Sequence, residues 1–110
     1  MKVQDLFRCF GITKKYQGYD QAILAIDLVM EDESRLSHIT KEIYWEVAEK
    51  CSCNWFSVER NIRTISHRAW HVNKNLLIEM AGYELLVQPS TSEFIAILSS
   101  YLKRTEAKAV

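Results

Sequence analysis

The clearest periodic signal in the chain is an apolar stripe between residues 55 and 72. Aliphatic residues recur there at spacings of four, three, four and three: Val58, Ile62, Ile65, Ala69 and Val72. Because an α-helix turns once every 3.6 residues, these side chains share one face of a predicted amphipathic helix. A second helix is predicted before it, capped by Thr40, with inward-facing residues Ile43, Val47 and Ala48. A tight connection at Cys51–Cys53 joins the two.

The face opposite the stripe is basic and rich in hydrogen-bonding groups. It carries Arg60, Arg63 and His67, with Phe56 and His71 at its ends. A helix with an aliphatic back and a basic front suits the major groove of DNA, where arginine donates bidentate hydrogen bonds to guanine. The pattern leaves open the alternative that this is an ordinary solvated helix face.

Four further helices are predicted around this pair. A short one over Val3–Phe10 precedes a longer one, which Asp20 can cap and whose apolar face Asp27 interrupts. After a break at Asn73–Asn75, a short fifth helix stops at Gly82. Tyr83–Pro89 is expected to be an extended loop or a short hairpin, and a capping box at Thr91 or Ser92 begins the last helix.

Composition agrees with a single all-α domain of six helices spanning residues 1–110. Of the 110 residues, 48% are hydrophobic and 25% are charged, which is typical of a packed core rather than a disordered chain. One proline and three glycines leave long stretches uninterrupted, which favours helices. The polar residues 104–110 are expected to form a frayed tail.

The charges sum to zero but are unevenly distributed. Residues 55–75 hold four basic and one acidic side chain, whereas each of the segments 1–38, 39–54 and 76–110 holds one more acidic than basic residue. A local excess of this size predicts modest non-specific affinity for DNA, so that specificity depends on base contacts.

Cys51, Cys53, His67 and His71 resemble a zinc-ligand set but do not fit one. The Cys-x-Cys spacing is too short, and the histidines lie on the outer face of a helix, more than about three turns from the cysteines. The same separation argues against a Cys/His nucleophile pair. We therefore expect no metal, no cofactor and no enzymatic activity.

Three cysteines, with no secretory signal and no apolar run of ~20 residues, indicate a cytoplasmic location with reduced thiols and no membrane span.

Several segments resemble one known family from about Gly11 to Lys103. They include GYDQAILAIDLVMEDESRLSHITKEIY, VAEKCSCNWFSVERNIRTISHRAW and PSTSEFIAIL. The most specific motifs are ITK at Ile39–Lys41, VER-x-IR at Val58–Arg63 and SEFIA at Ser92–Ala96. The chain is similar in these segments to the C-terminal DNA-binding effector domain of the sporulation initiation master response regulator, the stage 0 sporulation protein A family.

The resemblance implies that the third and fourth helices form a helix-turn-helix, with residues 55–72 as recognition helix in the major groove. Family members bind short boxes of the TGTCGAA type, often in tandem, and contact the RNA polymerase sigma factor. Double-stranded DNA, that sigma factor and a homodimer on tandem boxes are therefore the expected partners. The expected DNA-binding residues, which include the family's contact positions Glu59, Arg60 and Arg63, are Phe56, Ser57, Glu59, Arg60, Arg63, Thr64 and His67.

The chain departs from the family pattern inside this region. Ser57 replaces an arginine, Phe56 a small polar residue, Thr64 a histidine and Trp45 a proline, which leaves the sequence preference open. An alternative function is a protein-interaction module that keeps the scaffold but binds a regulator or a polymerase subunit. No phosphoacceptor receiver domain precedes Met1, so the sequence is expected to be an excised domain or a stand-alone protein without the phosphorylation switch.

Overall fold

The computed structural model describes residues 2–108, with side chains as far as residue 106. Its helices are α1 (Val3–Cys9), α2 (Gly18–Glu31), a 3₁₀ helix (Glu33–His38), a π-helical turn (Thr40–Tyr44) that continues into α3 (Trp45–Cys51), α4 (Trp55–Ala81) and α5 (Thr91–Lys108). A bend divides α4 into residues 55–72 and 74–81. These six α-helical segments confirm the predicted all-α, six-helix fold, and no β-strand occurs within residues 2–108, so the hairpin alternative was wrong.

The bend in α4 lies where the sequence predicted a break. Asn73 has φ −151° and ψ 67°, outside the helical region, and its side-chain oxygen accepts a hydrogen bond from the backbone N–H of Leu76 at 3.2 Å. Asn73 thus acts as an N-cap for the second segment. That segment ends at Gly82, whose φ of 77° allows the left-handed C-cap that a side chain would strain.

The predicted start of the third helix was wrong, because helical backbone begins well before Thr40. Ile39 has φ −59° and ψ −37°, so the 3₁₀ helix runs directly into the π-helical turn. The cap of this continuous run is Asp32, whose carboxylate accepts hydrogen bonds from the Ser34 N–H at 3.1 Å and the Ser34 hydroxyl at 2.6 Å. These bonds lower the pKa of the Asp32 carboxyl.

Two other predicted helix starts are shifted by one to three residues. The cap position of α2 is Gln17, which leaves Asp20 in the first turn of the helix. The cap of α5 is Ser90, whose hydroxyl accepts the Glu93 N–H at 3.1 Å. The polar segment from residue 104, expected to be frayed, is helical as far as Lys108, and Arg104 donates to the carbonyl of Met80. Residues 109 and 110 lie outside the described part of the chain.

The core lies where α2, α4 and α5 pack against one another. From α4 it takes four of the five predicted stripe residues, all without exposed surface: Val58, Ile62, Ile65 and Ala69. The fifth, Val72, is 44% exposed because the bend follows immediately. On α2, Ile26 is buried as predicted and Val29 is buried beside it, whereas Asp27 is exposed, so the prediction that Asp27 interrupts the apolar face was wrong.

The contact between α2 and α4 is closest at Gly18. A Cβ atom at this position would lie 2.6 Å from the carbonyl oxygen of Asn61, so only glycine permits the approach. Beside it, the amide of Asn61 donates to the side-chain oxygen of Gln21 at 3.1 Å. This contact also holds the end of the loop between α1 and α2 against α4.

Replacing Ile62 with alanine tests the orientation of α4. Because Ile62 is fully buried at the centre of the stripe, Ile62→Ala should lower the free energy of unfolding by about 2–5 kcal/mol. Val72→Ala, on the exposed end of the same stripe, is the control and should cost less than about 1 kcal/mol. Urea melts measure both, and equal midpoints for Ile62→Ala and the wild type would show that α4 is rotated from this orientation.

Candidate nucleic-acid interface

A three-residue turn, Ser52–Asn54, joins α3 to α4. Ser52 has left-handed backbone, with φ 54° and ψ 47°, and the N–H of Cys53 closes α3 by donating to the carbonyl of Ala48 at 3.0 Å. Asn54 is extended, and its carbonyl accepts hydrogen bonds from Ser57 and Val58 in the first turn of α4. The chain therefore reverses within three residues and re-enters a helix, as the tight connection in the sequence predicted.

Helix α3 and the π-helical turn that precedes it pack against α4 and are held at two points. Ile43 and Val47 are completely buried in the core. On the outer side, Arg35 of the 3₁₀ helix pairs with the carboxylate of Glu46 and donates to the carbonyl of Glu42. Since both partners of this pair are partly shielded from water, the interaction fixes the position of α3 better than a fully exposed pair would.

The seven expected DNA-binding residues lie on about half of the circumference of α4. Phe56, Arg60, Arg63, Thr64 and His67 are exposed, whereas Ser57 and Glu59 are partly buried. The Phe56 ring is 53% exposed and meets the Trp55 ring edge to face at a centroid distance of 6.0 Å. The structure thus leaves most of the predicted set accessible on one surface.

Glu59 is the member of this set with the largest role inside the protein. Its carboxylate accepts a hydrogen bond from the buried Thr91 hydroxyl at 2.6 Å, and its other oxygen lies 3.7 Å from the Arg63 guanidinium. Thr91 is the first residue of α5, so the negative charge also lies at the positive end of that helix dipole. Burial and the Glu59 charge together raise the pKa of Tyr44 well above its usual range. Glu59 therefore ties α4 to α5 and orients Arg63.

His67 connects the recognition surface to the loop between α4 and α5. Its Nδ1 forms a hydrogen bond with the side-chain amide of Gln88 at 2.9 Å, and its ring lies 4.3 Å from that of His71, centroid to centroid. Neither Gln88 nor Thr91 was predicted as a partner of α4. Their contacts join residues 21 and 32 positions apart, and no periodic pattern in the sequence links such distant positions.

The loop between α1 and α2 lies along the other edge of α4, which the sequence also did not reveal. Lys15 and Tyr16 line one groove together with Asn61 and Thr64. The same two loop residues line a second groove whose opposite wall is Arg68. Lys15 therefore extends the basic surface of α4, although it belongs to the segment 1–38, in which acidic side chains outnumber basic ones by one.

The cysteines and histidines considered as zinc ligands fall into different surroundings. Cys53 accepts a long hydrogen bond from the Gln21 amide at 3.8 Å, at the helix turn. Burial and its neighbours Cys53 and Asp20 raise the pKa of the Cys51 thiol, which favours the protonated form. The rings of His67 and His71 lie next to each other on the outer face of α4, tilted by 53°. Among the described residues, no three His, Cys, Asp or Glu side chains group as metal ligands.

A supporting helix with one buried face, a three-residue turn and a second helix with an exposed basic face define a helix-turn-helix domain. The family model described as "Sporulation initiation factor Spo0A C terminal" matches residues 3–102. The chain belongs to this family, which confirms the resemblance drawn from the sequence motifs, and it is a DNA-binding regulatory domain. Between residues 2 and 108, no helix is both long and apolar enough to cross a membrane.

The hydrogen bond from Thr91 to Glu59 can be tested by Thr91→Val. The valine leaves the partly buried carboxylate without its hydroxyl donor, so the free energy of unfolding should fall by about 1–3 kcal/mol. Thr64→Val is the matched control, because the Thr64 hydroxyl is exposed and donates only to the Arg60 carbonyl. Its effect should stay within about 0.5 kcal/mol. Coincident thermal melts for the two variants would show that the bond does not hold α4 to α5.

Proposed function

We propose that the protein is a sequence-specific transcriptional regulator that places residues 55–72 of α4 in the major groove of a short DNA box. The observation that carries this proposal is the orientation of α4. Four of the five aliphatic residues on its inner face are fully buried, so the arginines on the opposite face point to solvent. A helix fixed in this way presents base-reading groups without first having to become ordered.

Arg60 and Arg63 are the residues that we assign to direct base recognition. Arg60 is exposed and pairs with no carboxylate among the described residues, so its guanidinium is free to donate two hydrogen bonds to guanine. Arg63 lies beside Glu59, which restricts its side chain and favours one direction of approach. In this arrangement Glu59 acts mainly as a positioning residue.

The remaining members of the set complete the contact surface. Ser57, Thr64 and His67 carry groups that can bind phosphate or base edges, and the exposed ring of Phe56 can pack on a thymine methyl group. Because the protein has no net charge, weak non-specific binding and a strong dependence on base contacts are expected.

Family membership also supports two further partners. We infer that two copies of the chain bind tandem boxes and that the bound protein contacts the RNA polymerase sigma factor, as the resemblance implies.

A protein-interaction module is the second candidate function, and one observation favours it. Three aromatic side chains near the helix turn are unusually exposed: Trp45 (50%), Trp55 (39%) and Phe56 (53%). Exposed tryptophans are enriched at the centres of protein interfaces. On this alternative, the surface binds a regulator or polymerase subunit and the chain has no preference for a DNA box.

Alanine substitution of the two arginines distinguishes these functions. Arg60→Ala and Arg63→Ala should each weaken binding to a family-type box by about 1–3 kcal/mol and relax the preference at one base position. Lys74→Ala removes the same charge beyond the bend and is the control; it should leave base preference unchanged. Mobility-shift assays with the box and a scrambled duplex, at several salt concentrations, measure both effects.

Two results of that assay would contradict the proposal. If both arginine variants bind the box as the wild type does, the groove assignment is wrong. If the wild type binds neither duplex at low salt, the protein is not a DNA-binding regulator in this form, and the protein-interaction function is favoured.

A further inference from the structure

Residues 11–17 connect α1 to α2 and bring a basic segment to the edge of the recognition surface. Lys15 lies between two grooves, one shared with Asn61 and Thr64 and the other with Arg68. Thr64 belongs to the surface expected to face DNA, so Lys15 and Arg68 flank that surface rather than lie on a remote side of the domain.

The connection is held in place before any ligand binds. Ile12 is buried, and its N–H donates to the carbonyl of Phe7 at 2.9 Å. The N–H of Tyr16 donates to Thr13, and the loop ends at Gly18, which packs directly on α4. Because the backbone is already ordered, only the side chain of Lys15 loses freedom when it binds a partner.

The cations around this loop have no carboxylate partner among the described side chains. Some basic residues elsewhere do pair with carboxylates, such as Arg8 with Asp5 and Lys103 with Glu33. Lys14, Lys15 and Arg68 are exposed and form no ion pair with any described side chain. Positive charges brought together by two separate elements repel one another, and a bound anion relieves this repulsion.

Glycine at residue 11 leaves room for the side chain of Arg68 to lie close to the loop. Gly11 has a φ of +67°, and a Cβ atom there would lie 3.3 Å from the Arg68 guanidinium. The guanidinium therefore lies close over the loop, on the same groove as Thr13 and Lys15. A guanidinium and an ammonium on the same groove can bind one phosphate or two neighbouring ones.

We propose that Lys15 and Arg68 form a binding site for the phosphate backbone of DNA, next to the groove that α4 enters, with Lys14 adding charge. This site rests on the proposed function, because it adds phosphate contacts to the base contacts that α4 makes. Phosphate contacts fix the register of a protein on the duplex but carry no base information. These phosphate contacts also account for DNA binding by a chain without net charge, because Lys14 and Lys15 add to the excess of positive charge on residues 55–75.

The salt dependence of binding tests this site with the double variant Lys15→Gln, Arg68→Gln. Losing two phosphate contacts should make the slope of log K against log salt shallower by about 1.8, so the affinity lost between 50 and 200 mM salt becomes roughly tenfold smaller. At low salt, affinity should fall by the same factor for the family-type box and a scrambled duplex. The charge-preserving variant Lys15→Arg, Arg68→Lys should keep the wild-type slope.

The matched control removes two positive charges elsewhere, by Lys2→Gln and Lys103→Gln. These residues line grooves against α5 that include no residue from 55–72, so the control should keep most of the slope. An equal loss in the control would show that net charge alone is responsible and would overturn the site. Thermal melts check folding, and if the double variant is less stable, the single variant Lys15→Gln should still reduce the slope by about 0.9.

Failure of this site is distinguishable from failure of the proposed function. An unchanged slope, with Arg60→Ala still relaxing base preference, overturns the phosphate site and leaves DNA recognition by α4 intact. A changed box preference with an unchanged slope would mean that these side chains contact bases, which also overturns the assignment. No binding of any duplex by the wild type would overturn both.

Discussion

Burial of one face of α4 is the constraint on which the rest of the structure depends. Val58, Ile62 and Ile65 are removed from water between α2 and α5, and rotation of the helix by even one residue would expose part of this stripe while burying arginine. The orientation of the basic face is therefore a consequence of core packing. The three-residue turn from α3 adds a second restraint, since it sets the point at which α4 begins.

Charged groups around α4 divide into those used inside the protein and those left for a partner. Glu59 is committed to Thr91 and Arg63, and it joins the recognition helix to the first turn of α5. Arg60, Lys15 and Arg68 pair with no described carboxylate. The protein is therefore neutral as a whole but has a basic surface along one side of α4, where these three cations lie, because the acidic residues are distributed over other segments of the chain.

The sequence predicted those features that depend on local patterns. Periodicity identified α4 and its buried stripe, and the asparagines at 73–75 located the bend. The prediction of a helix cap at Thr40 failed because the preceding 3₁₀ helix continues without a break towards α3. The prediction that Asp27 interrupts the apolar face of α2 failed because Asp27 is exposed in the folded protein. The contacts of α4 with Gln88, Thr91 and the loop at Lys15 join distant parts of the chain, and only the folded arrangement brings them together.

A nuclear magnetic resonance titration of the ¹⁵N-labelled protein with a family-type duplex measures whether DNA binds along the exposed face of α4. We expect the amide shifts to concentrate in residues 55–68 and 13–16, while the segment 94–102 of α5 changes little. Shifts that cluster instead around Trp45 and the α4–α5 loop, or shifts equally large with a scrambled duplex, would contradict sequence-specific recognition by this face of α4.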